Sequence, residues 1–115
     1  MKKDTLFLLP PGFEDNDRRE FCPECAEMWG VLSYYPAIKE SLEICYVGIH
    51  HPREPIVEVL GEGRWNAPTL ILAEPDSVTG DFRTEISNGV TYLSSARQIA
   101  KYFAAKFGTA MPRGS

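Results

Sequence analysis

The apolar residues of this chain are concentrated in four short runs, and this grouping constrains the fold more than any other feature of the sequence. The runs lie at residues 4–9, 43–49, 69–73 and 90–93. Short apolar runs rich in β-branched and aromatic side chains are typical of buried strands. Segments with helical signals separate the first three runs, and another such segment follows the fourth. The predicted order of elements is therefore β-α-β-α-β-β-α, which is an α/β fold.

The connections between the strands predict how the sheet is arranged. Strands joined by a helix are expected to run parallel, with the usual right-handed crossover. The last two strands are joined by turn-rich sequence that includes Asn88-Gly89, so they are expected to pair antiparallel. We therefore expect a four-stranded mixed sheet with helices on both faces. Residues 82–87 have the pattern of a further short extended piece, and residues 10–20 are rich enough in loop-forming residues to predict an exposed loop.

Helix boundaries follow from periodicity and from capping residues. The spacing predicts a helix over residues 23–34, with an apolar stripe formed by Cys25, Met28, Leu32 and Tyr35. Shorter helical segments are predicted at 37–42 and 52–60. The last helix is predicted over about 95–107, with Ser94 or Ser95 as its N-cap and Gly108 after its end. Residues 1–110 are expected to form one domain, and residues 111–115 a disordered tail that includes an expression remnant.

The charge balance argues against one class of partner. The chain has 12 Lys and Arg residues against 16 Asp and Glu residues, a net charge of −4, whereas nucleic-acid binding needs a concentrated basic face. No apolar run approaches the ~20 residues that span a membrane. The run at 4–9 is also too short for a secretory signal. We therefore expect a cytoplasmic protein, where a close pair among its three cysteines indicates redox or metal chemistry.

The segment Phe21-Cys22-Pro23-Glu24-Cys25 is the most informative part of the sequence. Pro23 fits the first position of a helix, where a missing N–H costs nothing. A cysteine at that point meets backbone N–H groups without helical partners and the positive end of the helix dipole. Both favour the thiolate, which is the form that attacks a disulfide or binds a metal. Cys22 is therefore the predicted nucleophile, and Cys25, one helical turn on, is the predicted resolving thiol.

Three features together resemble the thioredoxin-like superfamily: the order of elements, Cys22-Pro23-Glu24-Cys25 at the first helix, and Ala67-Pro68-Thr69 before the third strand. The Cys-Pro-x-Cys form is most similar to that of glutaredoxins, and residues 89–103 resemble the close of a glutathione-transferase N-terminal domain. More narrowly, the opening of the chain and the run from Phe21 to Pro36 resemble a small bacterial family of uncharacterised thioredoxin-like proteins. The resemblance implies a thioredoxin-like fold and the activity of a thiol–disulfide oxidoreductase.

The resemblance also implies a substrate groove. Pro68 would be a cis-proline facing the two cysteines, and the backbone of Ala67 would pair with an extended thiol peptide such as glutathione, or with a protein disulfide. Ser95 and Ala96 fall where glutathione transferases carry an acidic or amide residue followed by a serine for the γ-glutamyl group. That motif is therefore degraded here, and Ser94 or Ser95 would have to substitute for it. Trp65 either borders the groove or packs in the interior. No obligatory cofactor is implied.

Glu24 departs from the aromatic residue that is common between the cysteines of glutaredoxins. A carboxylate beside the pair is expected to oppose formation of the thiolate. Arg18 and Arg19 lie shortly upstream. They would offset the carboxylate if the loop at residues 10–20 folds back.

Two other interpretations of the cysteine pair stay open. The chain could be a redox-inert binding domain, because a fold does not dictate a function. It could instead hold a metal, and Cys45, His50 or His51 would then have to complete the four ligands of a structural zinc site. Cys45 is more simply a buried small residue of its strand. His50 and His51 are more simply solvated residues that follow that strand.

Three aromatic residues leave the oligomeric state open. Trp29, Tyr34 and Tyr35 lie on or directly after the first predicted helix. They would support a homodimer if their rings are exposed. The helical spacing of Met28 and Trp29 equally fits residues of a core.

Overall fold

Strands and helices alternate along the chain in the computed structural model, which describes residues 3–50 and 53–114. In chain order the elements are β1 (Asp4–Leu8), β2 (Phe13–Asp15), β3 (Arg18–Glu20), α1 (Pro23–Tyr34), α2 (Pro36–Glu40), β4 (Leu42–Tyr46), α3 (Glu54–Leu60), β5 (Thr69–Ile71), β6 (Glu85–Ser87), β7 (Val90–Leu93) and α4 (Ala96–Phe107). A short 3₁₀ helix at Pro75–Ser77 lies between β5 and β6.

Five strands form one mixed sheet in the order β4-β1-β5-β7-β6. β1 and β4 run parallel, and the remaining neighbours in the sheet run antiparallel. The predicted α/β class and mixed sheet are thus confirmed, as is the antiparallel pairing of the last two predicted strands. The sheet has five strands rather than the predicted four, because β6 pairs with β7 across a turn in which Asn88 and Gly89 both have positive φ.

One predicted strand direction is wrong. β5 runs antiparallel to β1, so it begins at the edge of the sheet where β1 and β4 end. The helix before β5 explains the difference. α3 has seven residues and is about 10 Å long, whereas a five-residue strand spans about 17 Å. The chain therefore returns to the edge that it left, and Ala67 and Pro68 come to lie at that edge.

A second prediction is also wrong, because residues 10–20 contain a β-hairpin rather than a loop. β2 and β3 pair with Asp15 opposite Arg18, which leaves Asn16 and Asp17 as a two-residue turn. The φ angles of these turn residues are 55° and 60°, a conformation that Asn and Asp adopt more readily than most residues. The Asn-Asp pair is the sequence signal for this turn. The strands were missed because they lack alternating apolar residues.

The two long helices begin and end near their predicted residues. Cys22 caps α1, and Ser95 caps α4 by accepting the N–H of Gln98 at its Oγ, at 3.2 Å. Gly108 ends α4 in the left-handed conformation, with φ of 71°. The predicted stripe on α1 is buried at Cys25, Met28 and Leu32. α2 and α3 lie within two residues of their predicted bounds, and the predicted start of α3 at residue 52 lies outside the described residues.

The core of the protein is built around β1. Leu6, Phe7 and Leu8 are consecutive and all buried. Because consecutive side chains of a strand point to opposite faces, both faces of the sheet are covered at β1. Each such side chain contributes about 1.5–3 kcal/mol through its burial. Within the described ranges, no helix combines the length and the apolar character needed to cross a membrane.

The N-terminal end of β1 carries a buried carboxylate. Asp4 is 3% exposed, and its Oδ1 accepts the N–H of Ala73 at 2.8 Å. Its Oδ2 accepts the hydroxyl of Tyr102 at 3.1 Å and lies 3.2 Å from Nζ of Lys106. Burial, with the nearby charge of Asp4, raises the pKa of Tyr102 above its usual range. The tyrosine therefore stays protonated as a hydrogen-bond donor, and β1 is fastened to α4.

We expect Asp4→Ala to lower the free energy of unfolding by about 3 kcal/mol, because it leaves buried donors without an acceptor. Asp81→Ala is the matched control, since the side chain of Asp81 is 85% exposed and lies 3.9 Å from Lys101. Its expected cost is below ~0.5 kcal/mol. Guanidinium unfolding followed by circular dichroism measures both values. Equally small losses in the two variants would contradict the stabilising role of Asp4.

Candidate functional site

Four chain segments meet at one edge of the sheet. β1 ends there and β5 begins there, because the two strands are antiparallel neighbours. β7 is antiparallel to β5 and ends at the same edge, so α4 begins there. A hydrogen bond between Leu9, just after β1, and Cys25 brings the start of α1 to this edge as well. The N-terminal, positive ends of two helices therefore lie beside the loop before β5.

The cysteine pair forms the start of α1. Cys22 Sγ accepts the N–H of Cys25 at 3.2 Å, so the sulfur serves as the N-cap acceptor of the helix. Cys25 Sγ accepts the backbone N–H of Leu9 at 3.4 Å. Both thiols are free, but Cys22 is half-buried while Cys25 is 3% exposed. Cys22 is therefore the thiol that a partner molecule can reach.

Burial raises the pKa of the Cys25 thiol from 9.0 to about 12. Loss of hydration is the largest cause, and the neighbouring Cys22 thiol acts in the same direction. The N–H of Leu9 and the positive charge of Arg53 act in the opposite direction and offset part of the increase. Cys25 is therefore a protonated thiol at neutral pH. Any attack by its sulfur needs a group that takes the proton.

The loop before β5 lies against Cys22. The peptide bond between Ala67 and Pro68 is cis, and the Cys22 thiol lies 4.0 Å from the carbonyl oxygen of Ala67. Asn66 holds this loop in place. Its side-chain amide donates to the carbonyl of Ser94 at 2.5 Å, and its own carbonyl accepts the hydroxyl of Thr69 at 2.5 Å. The sequence analysis did not single out Asn66, although it directly precedes the Ala67-Pro68 pair.

Two clefts adjoin the cysteine pair, and Leu9 contributes to both. The first, which we call the loop cleft, has a volume of about 590 Å³ and is lined in part by Arg53, Arg64, Trp65, Ala67 and Ser94. The second, the proline cleft, has a volume of about 270 Å³ and is lined in part by Pro10, Pro11, Phe21 and Trp29 beside the two cysteines. The loop cleft thus carries cations, whereas the walls of the proline cleft are largely apolar.

Polar groups of Ser94, Ser95 and Ala96, at the start of α4, have hydrogen-bond partners within the chain. The hydroxyl of Ser94 donates to Glu85 at 2.5 Å. Ser95 caps α4, and the N–H of Ala96 donates to Glu24 Oε1 at 2.9 Å. Ser94 lines the loop cleft, whereas Ser95 does not appear among its lining residues. A substrate carboxylate at this point would have to displace these internal partners.

Arg53 is the cation that acts on the cysteine pair, and the sequence analysis missed it. It precedes the first residue of α3, and its guanidinium donates to the carbonyls of Trp65 at 3.1 Å and Ile49 at 3.5 Å. Its buried Nε has no hydrogen-bond partner among the residues that the structure describes. Arg18, which was expected to offset Glu24, instead forms an ion pair with Glu20 within the hairpin, at 2.7 Å.

A sequence profile of the family described as "Protein of unknown function (DUF3088)" matches residues 3–111. The chain belongs to the DUF3088 family. The expected relationship to an uncharacterised domain family is thereby confirmed. The match spans the cysteine motif, the loop before β5 and α4, so the whole candidate site lies in the DUF3088 domain. No curated protein and no solved structure matches the chain.

The structure of this DUF3088 protein describes two further metal-ligand candidates, Cys45 and His50. In residues 3–50 and 53–114, no group of three or more His, Cys, Asp or Glu side chains is placed to hold a metal ion. Cys45 is half-buried on β4, where its thiol lies 3.9 Å from the carbonyl of Tyr46. His50 is exposed. His51 lies outside the described residues.

The aromatic candidates for a dimer contact differ in their exposure. Tyr34 is 81% exposed, whereas Trp29 and Tyr35 are half-buried. The rings of Tyr34 and Tyr35 meet edge to face, with centroids 6.2 Å apart. Lys39 Nζ lies 5.4 Å from the centroid of the Trp29 ring. A homodimer of the DUF3088 domain stays a prediction.

We expect iodoacetamide to modify Cys22 at least about tenfold faster than Cys25 at pH 8, because only the thiolate reacts and Cys25 is buried with a raised pKa. Peptide mass spectrometry at timed intervals gives both rates. The control is the same reaction in 6 M guanidinium, where the two rates should converge. Similar rates in the folded protein would contradict the enclosed position of Cys25.

The raised pKa of Cys25 predicts lower stability in alkali. Above pH 9 the unfolded chain releases the Cys25 proton while the folded chain retains it, so the free energy of unfolding falls as the pH rises from about 9 to 12. Cys25→Ala should make this slope shallower by up to about 1.4 kcal/mol per pH unit. Tyr102 contributes equally in both proteins, so the difference isolates Cys25. Guanidinium unfolding under reducing conditions gives the free energy of unfolding of both proteins at each pH. If the two plots of this free energy against pH are parallel, the linkage to Cys25 is ruled out.

Proposed function

We propose that this protein is a thiol–disulfide oxidoreductase that acts through Cys22 and Cys25. One observation carries the proposal: the accessible Cys22 sulfur lies at the N-terminus of α1, where it accepts the Cys25 N–H, and it faces the Ala67 carbonyl at 4.0 Å. The helix end stabilises negative charge on that sulfur. The neighbouring loop offers backbone groups to an extended partner.

The proposed exchange has two steps. The Cys22 thiolate attacks one sulfur of a partner disulfide, which forms a mixed disulfide and releases the first partner thiol. Cys25 then loses its proton to solvent, and its sulfur attacks Cys22. This second step forms the Cys22–Cys25 disulfide and releases the second partner thiol. The partner gains two electrons and two protons, and a small-molecule thiol or a dithiol protein must reduce the pair again.

The arrangement of segments around the pair supports a thioredoxin-like assignment for the domain. A helix that begins with Cys-Pro-x-Cys follows the first strand, and a cis-proline precedes a strand antiparallel to it. The cysteine motif and the cis-proline are features that the resemblance implied, whereas the antiparallel direction of β5 was not expected. Exchange in the cytoplasm would keep the resting pair reduced.

A protein or peptide disulfide fits the surroundings of Cys22 better than glutathione does. The groups at Ser94, Ser95 and Ala96 that the resemblance assigned to glutathione have partners within the chain. The largely apolar proline cleft lies directly beside the cysteines and is large enough for one bulky side chain. The site also offers Trp65 and Ala67, which line the loop cleft, and the cis-proline Pro68 that follows Ala67. Glutathione is the alternative partner in this proposal.

A redox titration tests the proposed function. The purified protein is equilibrated with mixtures of reduced and oxidised glutathione, free thiols are trapped by alkylation, and the masses are read. We expect one two-electron transition confined to Cys22 and Cys25, with a midpoint between roughly −270 and −120 mV. Cys22→Ser should abolish the transition and the turnover of a peptide disulfide. Cys45→Ser is the matched control and should retain both.

The opposite result identifies the alternative. If the two thiols react slowly and independently, with no transition in that window, the oxidoreductase assignment is wrong. The fold would then serve as a redox-inert binding domain. Zinc that copurifies in stoichiometric amount and masks the thiols until a chelator is added would instead identify a metal site.

A further inference from the structure

Glu24 lies between the two cysteines on α1, and its side chain accepts a hydrogen bond from the start of a different helix, α4. Its Oε1 accepts the N–H of Ala96 at 2.9 Å, across 72 positions of the sequence. Ala96 is the first residue of α4 and is 1% exposed. The first N–H groups of a helix have no partner within that helix, and a buried one is costly to leave unpaired. The hydrogen bond therefore ties the cysteine-bearing turn of α1 to the start of α4.

The charge of Glu24 serves both helices. It is the acidic residue in the first turn of α1, whereas α4 has no acidic residue in its own first turn. A negative charge near a helix N-terminus interacts favourably with the helix dipole. The same positive potential acts on Cys22, whose sulfur caps α1. A carboxylate placed there lowers that potential and disfavours the Cys22 thiolate.

We propose that Glu24 is a positioning residue that holds the Cys22–Cys25 turn against α4, and that its charge makes the pair a stronger reductant of partner disulfides. The inference rests on the proposed function. A stabilised thiolate favours the reduced form and makes a cysteine pair oxidising. The charge of Glu24 has the opposite effect, because it disfavours the thiolate and so favours the disulfide form of Cys22 and Cys25. Arg53, which favours a charged Cys25, is unchanged in every variant below.

Two substitutions separate the charge from the hydrogen bond. Glu24→Gln keeps an oxygen that can accept the Ala96 N–H but removes the charge, and Glu24→Ala removes both. Glu27→Gln is the matched control, because Glu27 is also exposed on α1 and its replacement makes the same change in charge.

In glutathione redox buffers, both Glu24 variants should shift the equilibrium constant about two- to fivefold towards the dithiol. At 29.6 mV per tenfold change in the equilibrium constant, the reduction potential of the cysteine pair becomes about 10 to 20 mV less negative. The pH profile of Cys22 alkylation should move to lower pH in both. Glu27→Gln should shift the constant by less than about twofold. No shift in the Glu24 variants, or an equal shift in Glu27→Gln, would overturn the role of the charge.

Amide hydrogen exchange at Ala96 tests the hydrogen bond between Glu24 and Ala96. Exchange should be at least about tenfold faster in Glu24→Ala than in the unmodified protein, and nearly unchanged in Glu24→Gln. Equal protection in all three proteins would overturn the positioning role. If the unmodified protein shows no dithiol–disulfide equilibrium, the proposed function fails and the reductant role fails with it. The exchange at Ala96 would still decide whether Glu24 holds the turn, and the pH profile of Cys22 alkylation would still decide whether its charge acts on Cys22.

Discussion

Burial of β1 on both faces is the constraint on which the other elements depend. A strand with consecutive buried residues at Leu6, Phe7 and Leu8 needs neighbours on each side and cover on each face. β4 and β5 supply the neighbours. The end of β1 also determines where the chemistry lies, because the N–H of Leu9 bonds to the sulfur of Cys25. The same packing that excludes water from the core therefore sets the depth of the second cysteine.

The two sulfurs occupy different environments although they are one helical turn apart. Cys22 lies at a helix end, where it faces the Ala67 carbonyl and lines the proline cleft. Cys25 lies inside, where the cost of charge in a medium of low polarity outweighs the nearby N–H and the cation of Arg53. This asymmetry gives the pair an order of action, in which the accessible Cys22 reacts before the buried Cys25. It also means that the slower step of an exchange would be the one that requires Cys25 to lose its proton.

The sequence was most informative where local chemistry decides the structure. The start of α1 at Pro23, the cap at Ser95 and the turn at Asn88-Gly89 follow from backbone preferences that a few residues carry. The direction of β5 was not predictable in this way, because it depends on how far a seven-residue helix carries the chain. The bond from Glu24 to Ala96 and the position of Arg53 depend on segments distant in sequence. Such contacts leave no periodic pattern, so a single sequence does not reveal them.

The bonds of Asp4 join the beginning of the chain to its last helix. They span 98 positions to Tyr102 and 102 positions to Lys106. During synthesis on a ribosome, β1 emerges early, but the groups that neutralise its carboxylate emerge only with α4. Burying that charge without them is unfavourable, so α4 favours the buried position of β1. We therefore expect the two ends of the domain to fold together.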